Sequence, residues 1–225
     1  MKTKPWYITL GIILSLLVLT LSITLYAYST AFYMTQHDLN NIPQVTGMER
    51  DELVRVTQGL IDYIRGDLKD LNMEAVINGK TQWVYGEREI AHMVDVEVLF
   101  NLVNVLRTAF AVLFIGGWGF MAYKPKLRKD RMKPFIAQGL VTIALAGAIL
   151  LMTLVDFSSA FEKFHKIFFT NDLWILDPRT DVLIQMLPQI FFETMAKYMA
   201  GTWFALSMIL MVFGFMFDRR IQKAK

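Results

Sequence analysis

Long stretches without a charged side chain are the feature that most restricts how this chain can fold. No Asp, Glu, Lys or Arg occurs between Lys4 and Asp38, and uncharged runs of 16, 22 and 20 residues follow at 108–123, 134–155 and 198–217. One helical crossing of a bilayer takes ~20 apolar residues. The shortest run reaches that length if its helix begins before Arg107. We therefore predict an all-α integral membrane protein with four transmembrane helices and exclude a soluble globular domain.

The chain has no cysteine, which removes several classes of chemistry at once. Disulfides, a cysteine nucleophile, thiolate metal sites and a lipid attached through a cysteine of this chain are all excluded. The first apolar stretch is much longer than the ~7–15-residue core of a signal peptide. We therefore expect this stretch to be an uncleaved first span.

The distribution of charge predicts which segments face the cytoplasm. Twelve of the 23 Lys and Arg residues lie in the N-terminal end, in residues 124–133 and in the tail after Phe217, together with only two acidic residues. Short basic connections stay in the cytoplasm. Both termini and residues 124–133 are therefore expected inside, with the acidic remainder outside. The basic residues then serve as topological signals at a membrane surface and do not indicate nucleic acid.

These signals predict the order of segments along the chain. The extracellular cap lies between spans 1 and 2, and a shorter helical outer segment with an aromatic and histidine motif lies between spans 3 and 4. We expect span 1 at 1–33, the cap at 34–97, span 2 at 98–123, a basic cytoplasmic turn at 124–133, span 3 at 134–156, the second outer segment at 157–189, span 4 at 190–217 and a cytoplasmic tail at 218–225.

Turn and periodicity signals predict the local structure of the cap. Thr46 and Glu49 match the capping box of a helix start. Apolar residues then recur at helical spacing from Leu53 to Leu71, which predicts an amphipathic helix of about six turns. Asn78 and Gly79 mark a turn before a short extended piece, and from residue 87 we expect a helix that runs unbroken into span 2.

The second outer segment combines an aromatic stripe with a histidine. Phe157, Phe161, Phe164 and Phe168 follow one another at helical spacing, and His165 lies beside this stripe. A further helix start is predicted downstream, with Asp177 as its N-cap, because the next residue is a proline.

Of the three histidines, His92 has neighbours that suit proton transfer. Glu89 and Asp95 lie one helical turn on either side of His92, so either carboxylate can hold its imidazole in one tautomer. An unperturbed imidazole titrates near pH 6.5 and exchanges protons at neutral pH. His37 lacks such neighbours and is expected at the membrane interface. Arg107 lies inside span 2, where a charge is costly unless paired, and is expected to face a polar headgroup.

Two alternatives to proton-transfer chemistry remain open at this point. His92, Asp95, His165 and Asp172 form a possible metal set, although no His-Glu-x-x-His pair strengthens it. A metal-dependent membrane lipid hydrolase would use the same histidines. A non-catalytic membrane sensor would use the histidines and aromatics for packing or as a pH switch.

Four short motifs together resemble the bacterial lipoprotein intramolecular transacylase family. They are residues 87–96 (EREIAHMVDV), 164–169 (FHKIFF), 171–174 (NDLW) and 176–178 (LDP) with Asp181. The resemblance implies a protein of the bacterial cell membrane whose substrate is a diacylated lipoprotein. It further implies transfer of the sn-2 acyl chain of the diacylglyceryl-cysteine onto the α-amino group of that cysteine, giving a lyso-form lipoprotein. No cofactor, metal or separate acyl donor is implied, and we expect a monomer.

With this resemblance, the candidate residues take distinct roles. We expect His92 and His165 to be the catalytic pair, with Glu89 or Asp95 orienting His92. Arg107 and Asp172 are expected to hold the polar headgroup. The aromatic residues are expected to shape the site and exclude water, with Phe161, Phe168 and Trp174 as the selected members. Activity is expected to fall below about pH 6 as the base becomes protonated.

Overall fold

The computed structural model describes residues 4–223, except for the side chains of residues 4, 5, 147–155 and 223. Predictions that concern Lys2 and Lys225 lie outside the described residues. In chain order the elements are α1 (Lys4–Ala27), α2 (Thr30–Leu39), α3 (Ile42–Thr46), α4 (Arg50–Arg65), β1 (Glu74–Ile77), β2 (Lys80–Trp83), α5 (Glu87–Tyr123), α6 (Lys133–Val155), α7 (Phe157–Phe168), α8 (Val182–Met186) and α9 (Gln189–Lys223), with a 3₁₀ turn at Arg128–Asp130.

Three helices in the described part are long and apolar enough to cross a membrane. They are Trp6–Ala27 within α1, Glu87–Tyr123 as α5, and Gln189–Gln222 within α9. In α6 the described apolar stretch is the shorter Lys133–Ala146, so the span predicted at 134–156 falls partly on side chains outside the description. The first three turns of α5 are rich in carboxylates and precede its apolar part, as the unbroken helix predicted from residue 87 requires.

The chain divides into two compact units. The first comprises residues 4–24, 103–155 and 197–223 of the described chain. Its interior contains an apolar cluster that includes Leu14, Phe114 and Trp203. Small polar side chains hydrogen-bond between its helices, with Ser15 to Thr142 at 2.8 Å and Thr142 to Ser207 at 3.0 Å. Such hydrogen bonds hold helices together where the surrounding lipid offers no hydrophobic driving force.

The second unit comprises residues 25–102 and 156–196. Its core is formed largely by α4, whose apolar face, including Leu53, Val56 and Leu60, is buried as the spacing predicted. The helix is shorter than expected, because Gly66 ends it in the left-handed conformation at φ 86°. The prediction that Thr46 and Glu49 form a capping box is also wrong. Thr46 belongs to α3, and Glu49 is the N-cap of α4 without a side-chain capping bond.

A β-hairpin corrects the prediction of an all-α chain. Strands β1 and β2 pair antiparallel, with Glu74 opposite Trp83 and Ile77 opposite Lys80. Asn78 and Gly79, which were predicted to form a turn, both have positive φ, at 51° and 76°. Two such residues match a two-residue hairpin turn of type I′.

Two other local predictions differ from the structure. The apolar stretch assigned to span 1 is divided, because Ser29 caps a new helix with its side chain accepting a hydrogen bond from the Phe32 N–H. Helix α7 matches the predicted aromatic helix. The helix expected to begin at Asp177 begins instead at Val182, because the backbone and carboxylate of Asp177 form a turn with Arg179 and Asp181.

Candidate active site

The structure brings His92 and His165 together. His92 lies on the second turn of α5 and His165 on α7, and both belong to the second unit. Their ring centroids are 6.1 Å apart with an interplanar angle of 37°. Only 8% of His92 and 7% of His165 is exposed. Two imidazoles separated by 73 positions in the sequence therefore form one buried pair.

The tautomer of His165 follows from a backbone contact. Its Nδ1 lies 2.7 Å from the carbonyl oxygen of Phe161. A carbonyl only accepts hydrogen bonds, so the Nδ1–H donates and the lone pair of neutral His165 is on Nε2. Trp174 stacks on the ring at 4.8 Å, and Phe161 meets it edge-on at 4.4 Å. The imidazole is thus fixed in orientation and in protonation pattern.

The environment of His92 is mainly apolar. Its Nδ1 is buried and has no hydrogen-bond partner among the described residues. Phe169 contacts the ring edge-on at 5.3 Å and also lies 5.6 Å from the His165 ring. The two histidines therefore share one aromatic neighbour.

Phe169 contacts both histidine rings, whereas helical spacing had selected Phe168 to line the site. Helix α7 ends at Phe168, and the extended backbone of Phe169 (φ −120°, ψ 135°) turns its ring into the buried site. Phe168 is 50% exposed and packs on Phe164 at 4.8 Å. A purely helical pattern cannot detect this reversal, since it depends on where the helix ends.

Burial keeps both histidines neutral. Burial, together with the smaller effect of the nearby His165, lowers the pKa of His92 to about 4, although the charge of Asp95 opposes both. Burial likewise lowers the pKa of His165, opposed by its hydrogen bond to the Phe161 carbonyl. Removing an imidazolium from water is costly, so the neutral form is favoured. At neutral pH the pair can accept protons.

Asp95 acts on the site through a neighbouring asparagine. Its Oδ2 accepts a hydrogen bond of 2.8 Å from Nδ2 of Asn171, and Oδ1 of Asn171 accepts one of 3.0 Å from the Leu173 N–H. This chain of bonds holds the turn that precedes Trp174. Asp95 was expected to orient His92, and its charge does act on that ring. Asn171 belonged to a motif in the sequence, but spacing alone did not reveal its role.

We expect Asn171→Ala to lower the kcat of any reaction catalysed by the histidine pair by roughly tenfold. Misplacement of a catalytic group by ~1 Å can cost ~10²-fold in rate. The substitution removes both hydrogen bonds that hold the turn carrying Trp174, while both histidines remain. Thr170→Ala, an exposed change in the same loop, serves as the matched control. Equal turnover by the two variants would show that the turn does not position His165.

Arg88 supports the same loop and was not predicted. Its Nε donates to the carbonyl of Ile175 at 3.1 Å, and its Nη2 donates to the carbonyl of Asp172. Asp172 thus contributes its backbone to the loop, and its side chain is exposed. In the sequence, Arg88 looks like any solvated charge at the start of a helix.

Glu89 joins two helix starts. Only 3% of the residue is exposed, and its two carboxylate oxygens accept hydrogen bonds from the N–H groups of Gly86 at 2.6 Å and Leu183 at 2.7 Å. Burial raises its pKa, and the backbone hydrogen bonds partly offset this. Glu89 was expected to orient His92. Both carboxylate oxygens of Glu89 instead accept hydrogen bonds from backbone N–H groups at the starts of α5 and α8.

Glu89→Ala is expected to lower the free energy of unfolding by ~1–3 kcal/mol, because two backbone N–H groups lose their acceptor. Glu89→Gln should lose less, since its amide oxygen can accept one of the two bonds. Chemical denaturation in detergent measures both changes, with the exposed Glu87→Ala as control. A variant without the Glu89 carboxylate that is as stable as the control would contradict the capping role.

The remaining candidate residues lie elsewhere. Arg107 belongs to the first unit, where its Nη1 donates to Oγ1 of Thr24 at 3.0 Å. His37 was expected at the membrane interface, but it is fully buried in the second unit beside Tyr33 and Phe191, with ring centroids 6.3 and 6.4 Å away. Burial lowers the pKa of His37 to about 4.

The four candidate metal ligands His92, Asp95, His165 and Asp172 are not arranged around a common point. Among the residues that the structure describes, no group of three or more His or carboxylate side chains is arranged to hold a metal ion. Of the four residues proposed from the sequence, Asp95 is hydrogen-bonded to Asn171 and Asp172 presents its backbone to Arg88. The four residues therefore do not form a coordination shell.

Comparison with solved structures reveals the same fold in a membrane enzyme. The chain matches the membrane-integral lipoprotein intramolecular transacylase Lit from Bacillus cereus with a TM-score of 0.84 and 21% identity, covering 99% of this chain and 98% of the other. Two further structures of that protein, in which a histidine is replaced by arginine or by alanine, match with TM-scores of 0.77 at 22% identity. They cover 98% of this chain and 92% and 94% of the others.

The sequence comparison identifies the family. No match was found among curated protein sequences. The family described as lipoprotein intramolecular transacylase Lit matches residues 8–192, which include both histidines and the loop that carries Trp174. The chain therefore belongs to the lipoprotein intramolecular transacylase family.

Proposed function

We propose that this protein transfers the sn-2 acyl chain of an S-diacylglyceryl-cysteine lipoprotein to the α-amino group of the same cysteine. The ester C–O bond breaks, an amide C–N bond forms, and the proton lost by the amine ends on the glycerol oxygen. Mass is conserved, and the product is a lyso-form lipoprotein. The observation that carries the proposal is the buried, neutral His92–His165 pair. Family membership independently supports lipoprotein transacylation in a membrane.

His165 is the proposed general base. Its Nδ1–H is held by the Phe161 carbonyl, which leaves Nε2 free to accept a proton. As the amine nitrogen attacks the ester carbonyl, it becomes acidic and Nε2 takes its proton. The Nδ1–H···O bond then stabilises the imidazolium that forms. A general base of this kind typically contributes ~10²–10⁴-fold to the rate.

His92 is the proposed proton donor to the departing glycerol oxygen. The charge of Asp95 favours the protonated form of His92 and opposes the effect of burial. His165 passes the proton that it has taken from the amine to His92, and His92 delivers it to the glycerol oxygen, so both residues are neutral at the start and at the end of each cycle. These two roles require two histidines close together, which agrees with the 6.1 Å between their ring centroids.

The aromatic residues are proposed to bring the reacting groups together and to exclude water. The ester and the amine belong to one molecule, so orientation can supply effective molarities of ~10⁵–10⁸ M. Water is the competing nucleophile, and hydrolysis would release the fatty acid. Phe161, Phe169 and Trp174 contact the histidines directly. Phe168 is proposed to contact an acyl chain from its exposed face.

Two charged residues are proposed to hold the polar part of the substrate. Arg107 lies in an apolar helix, where a guanidinium is costly unless it is paired, and the Thr24 hydroxyl is a neutral partner. A lipid headgroup oxygen would complete its coordination. The exposed carboxylate of Asp172 follows the same loop as Trp174 and can receive the α-ammonium group before it loses its proton.

The proposed arrangement in the membrane has four spans and an extracellular cap. A first span within Trp6–Ala27, with spans at 98–123, 134–156 and 190–217, would place the basic segment 124–133 and both termini in the cytoplasm. The excess of basic residues in these segments supports this orientation. The chemistry would then take place on the outer side of the bacterial membrane, in a protein that acts as a monomer.

Mass spectrometry of a diacylated lipoprotein peptide incubated with the purified protein and EDTA tests this function. We expect an unchanged mass with the acyl chain moved from glycerol to the α-amine. Loss of one acyl mass would point to a hydrolase, and activity that disappears with the chelator would point to a metal. An unaltered peptide would favour a non-catalytic sensor.

The pH dependence should differ from that of an ordinary histidine enzyme. Because burial lowers the pKa of both imidazoles, the loss of activity expected near pH 6 from the sequence moves to a lower pH. The substrate α-amine, with a usual pKa of ~7.7–8.0, must instead be deprotonated. We therefore expect kcat/KM to rise with pH up to about 8. A limb centred near pH 6.5 would contradict the buried setting of the pair.

A further inference from the structure

A cavity of about 490 Å³ lies in the first unit, between the start of α1, the start of α6 and the end of α9. Most of its wall is aliphatic and includes Ile136, Leu140 and Val141. Its polar groups are the side chains of Tyr7, Lys133 and Asp218. The volume is in the range of sites that bind small molecules, which are ~300–1,000 Å³. An apolar wall with a few charged groups suits an amphipathic ligand.

The polar groups of the cavity include an unsatisfied acceptor. Lys133 Nζ forms an ion pair of 2.6 Å with Oδ1 of Asp130 and lies 5.7 Å from the Tyr7 ring centroid. The negative charge of Asp218 attracts the Lys133 ammonium group, but Oδ1 of Asp218 is buried without a hydrogen-bond partner among the described residues. A buried carboxylate oxygen without a donor is costly. Lys133 is thus already paired with Asp130, and a ligand that carries its own ammonium would supply the donor that Oδ1 of Asp218 lacks.

We propose that this cavity binds a phospholipid with a phosphoethanolamine headgroup. The primary ammonium donates to Oδ1 of Asp218, and the phosphate accepts from Lys133 and the Tyr7 hydroxyl. One acyl chain lies along Leu140 and Val141. Phosphatidylglycerol has no cation for Asp218, and the quaternary ammonium of phosphatidylcholine has no N–H to donate. The proposal concerns a bound membrane lipid and does not depend on the proposed transacylation.

Native mass spectrometry of the full-length protein, released from micelles with lipids of matched chain length, tests the preference. We expect phosphatidylethanolamine to be retained about tenfold more strongly than phosphatidylglycerol or phosphatidylcholine. Asp218→Asn keeps the shape of the side chain and removes its charge, so the preference should fall about tenfold. Tyr7→Phe should weaken retention by less, because only one contact to the phosphate is lost.

A second variant separates the cavity from general lipid adhesion. Leu140 is exposed at the cavity, and Leu140→Trp should fill it and reduce retention of the lipid. Ile143→Trp adds the same ring on the same helix without lining the cavity, so retention should match that of the unaltered protein. Equal retention of the three lipids would overturn the proposal. An unchanged preference in Asp218→Asn would also overturn it, since water would then satisfy the carboxylate.

Discussion

His165→Asn is expected to reduce kcat/KM for acyl transfer by ~10²–10⁴-fold, the usual contribution of a positioned general base. The asparagine amide can still donate to the Phe161 carbonyl in place of Nδ1, but it has no equivalent of the basic Nε2. The fold of α7 should therefore persist while proton abstraction is lost. Initial rates of lyso-form product, followed by mass spectrometry, measure the effect.

Lys166→Gln is the matched control for this variant. It changes the neighbouring residue on α7, and its ion pair with Glu162 is solvent-exposed and contributes little to stability. We expect its turnover to be close to that of the unaltered protein. If His165→Asn retains its thermal unfolding temperature and also a near-normal rate, His165 is not the base.

His92→Asn is expected to produce the second large loss, again ~10²–10⁴-fold in kcat/KM, because no group remains to protonate the departing glycerol oxygen. The aromatic packing of Phe169 against His165 should be retained. Rates with the single and double histidine variants form a double-mutant cycle. Residues that act as one unit are non-additive, so the double variant should be hardly slower than the slower single variant.

Val94→Ala is the control on α5, because Val94 is exposed and lies two residues from His92. Its rate should be unchanged. Losses that multiply in the double histidine variant would mean that the two rings act in separate steps or at separate sites. A normal rate in His92→Asn would leave His165 as the only acid–base group of the pair.

Local patterns predicted the helical elements well. The buried face of α4, the unbroken course of α5 and the aromatic helix α7 all follow from apolar spacing that each segment carries by itself. The hairpin was missed because its two strands have only four residues each and one of them is fully exposed. Such a segment has no hydrophobic alternation to detect, although its Asn-Gly turn was recognised.

The candidate site was only partly predictable for a related reason. His92 and His165 were selected from their neighbours and from the family resemblance, and the structure brings their rings together. The contact of Phe169 with the histidines, in the role expected for Phe168, depends on the residue at which α7 ends. The role of Asn171 depends on a contact with Asp95, which lies 76 positions earlier in the chain.

The sequence alone determined that this chain belongs in a membrane, how acidic and basic segments alternate along it, and which two histidines are the candidate catalytic groups. Those properties follow from local composition, since uncharged runs and charge clusters act without reference to the rest of the fold. Only the tertiary structure decided how the carboxylates are used. Glu89 binds backbone N–H groups of two helices and Asp95 binds Asn171, because buried acceptors take the donors that packing brings within reach.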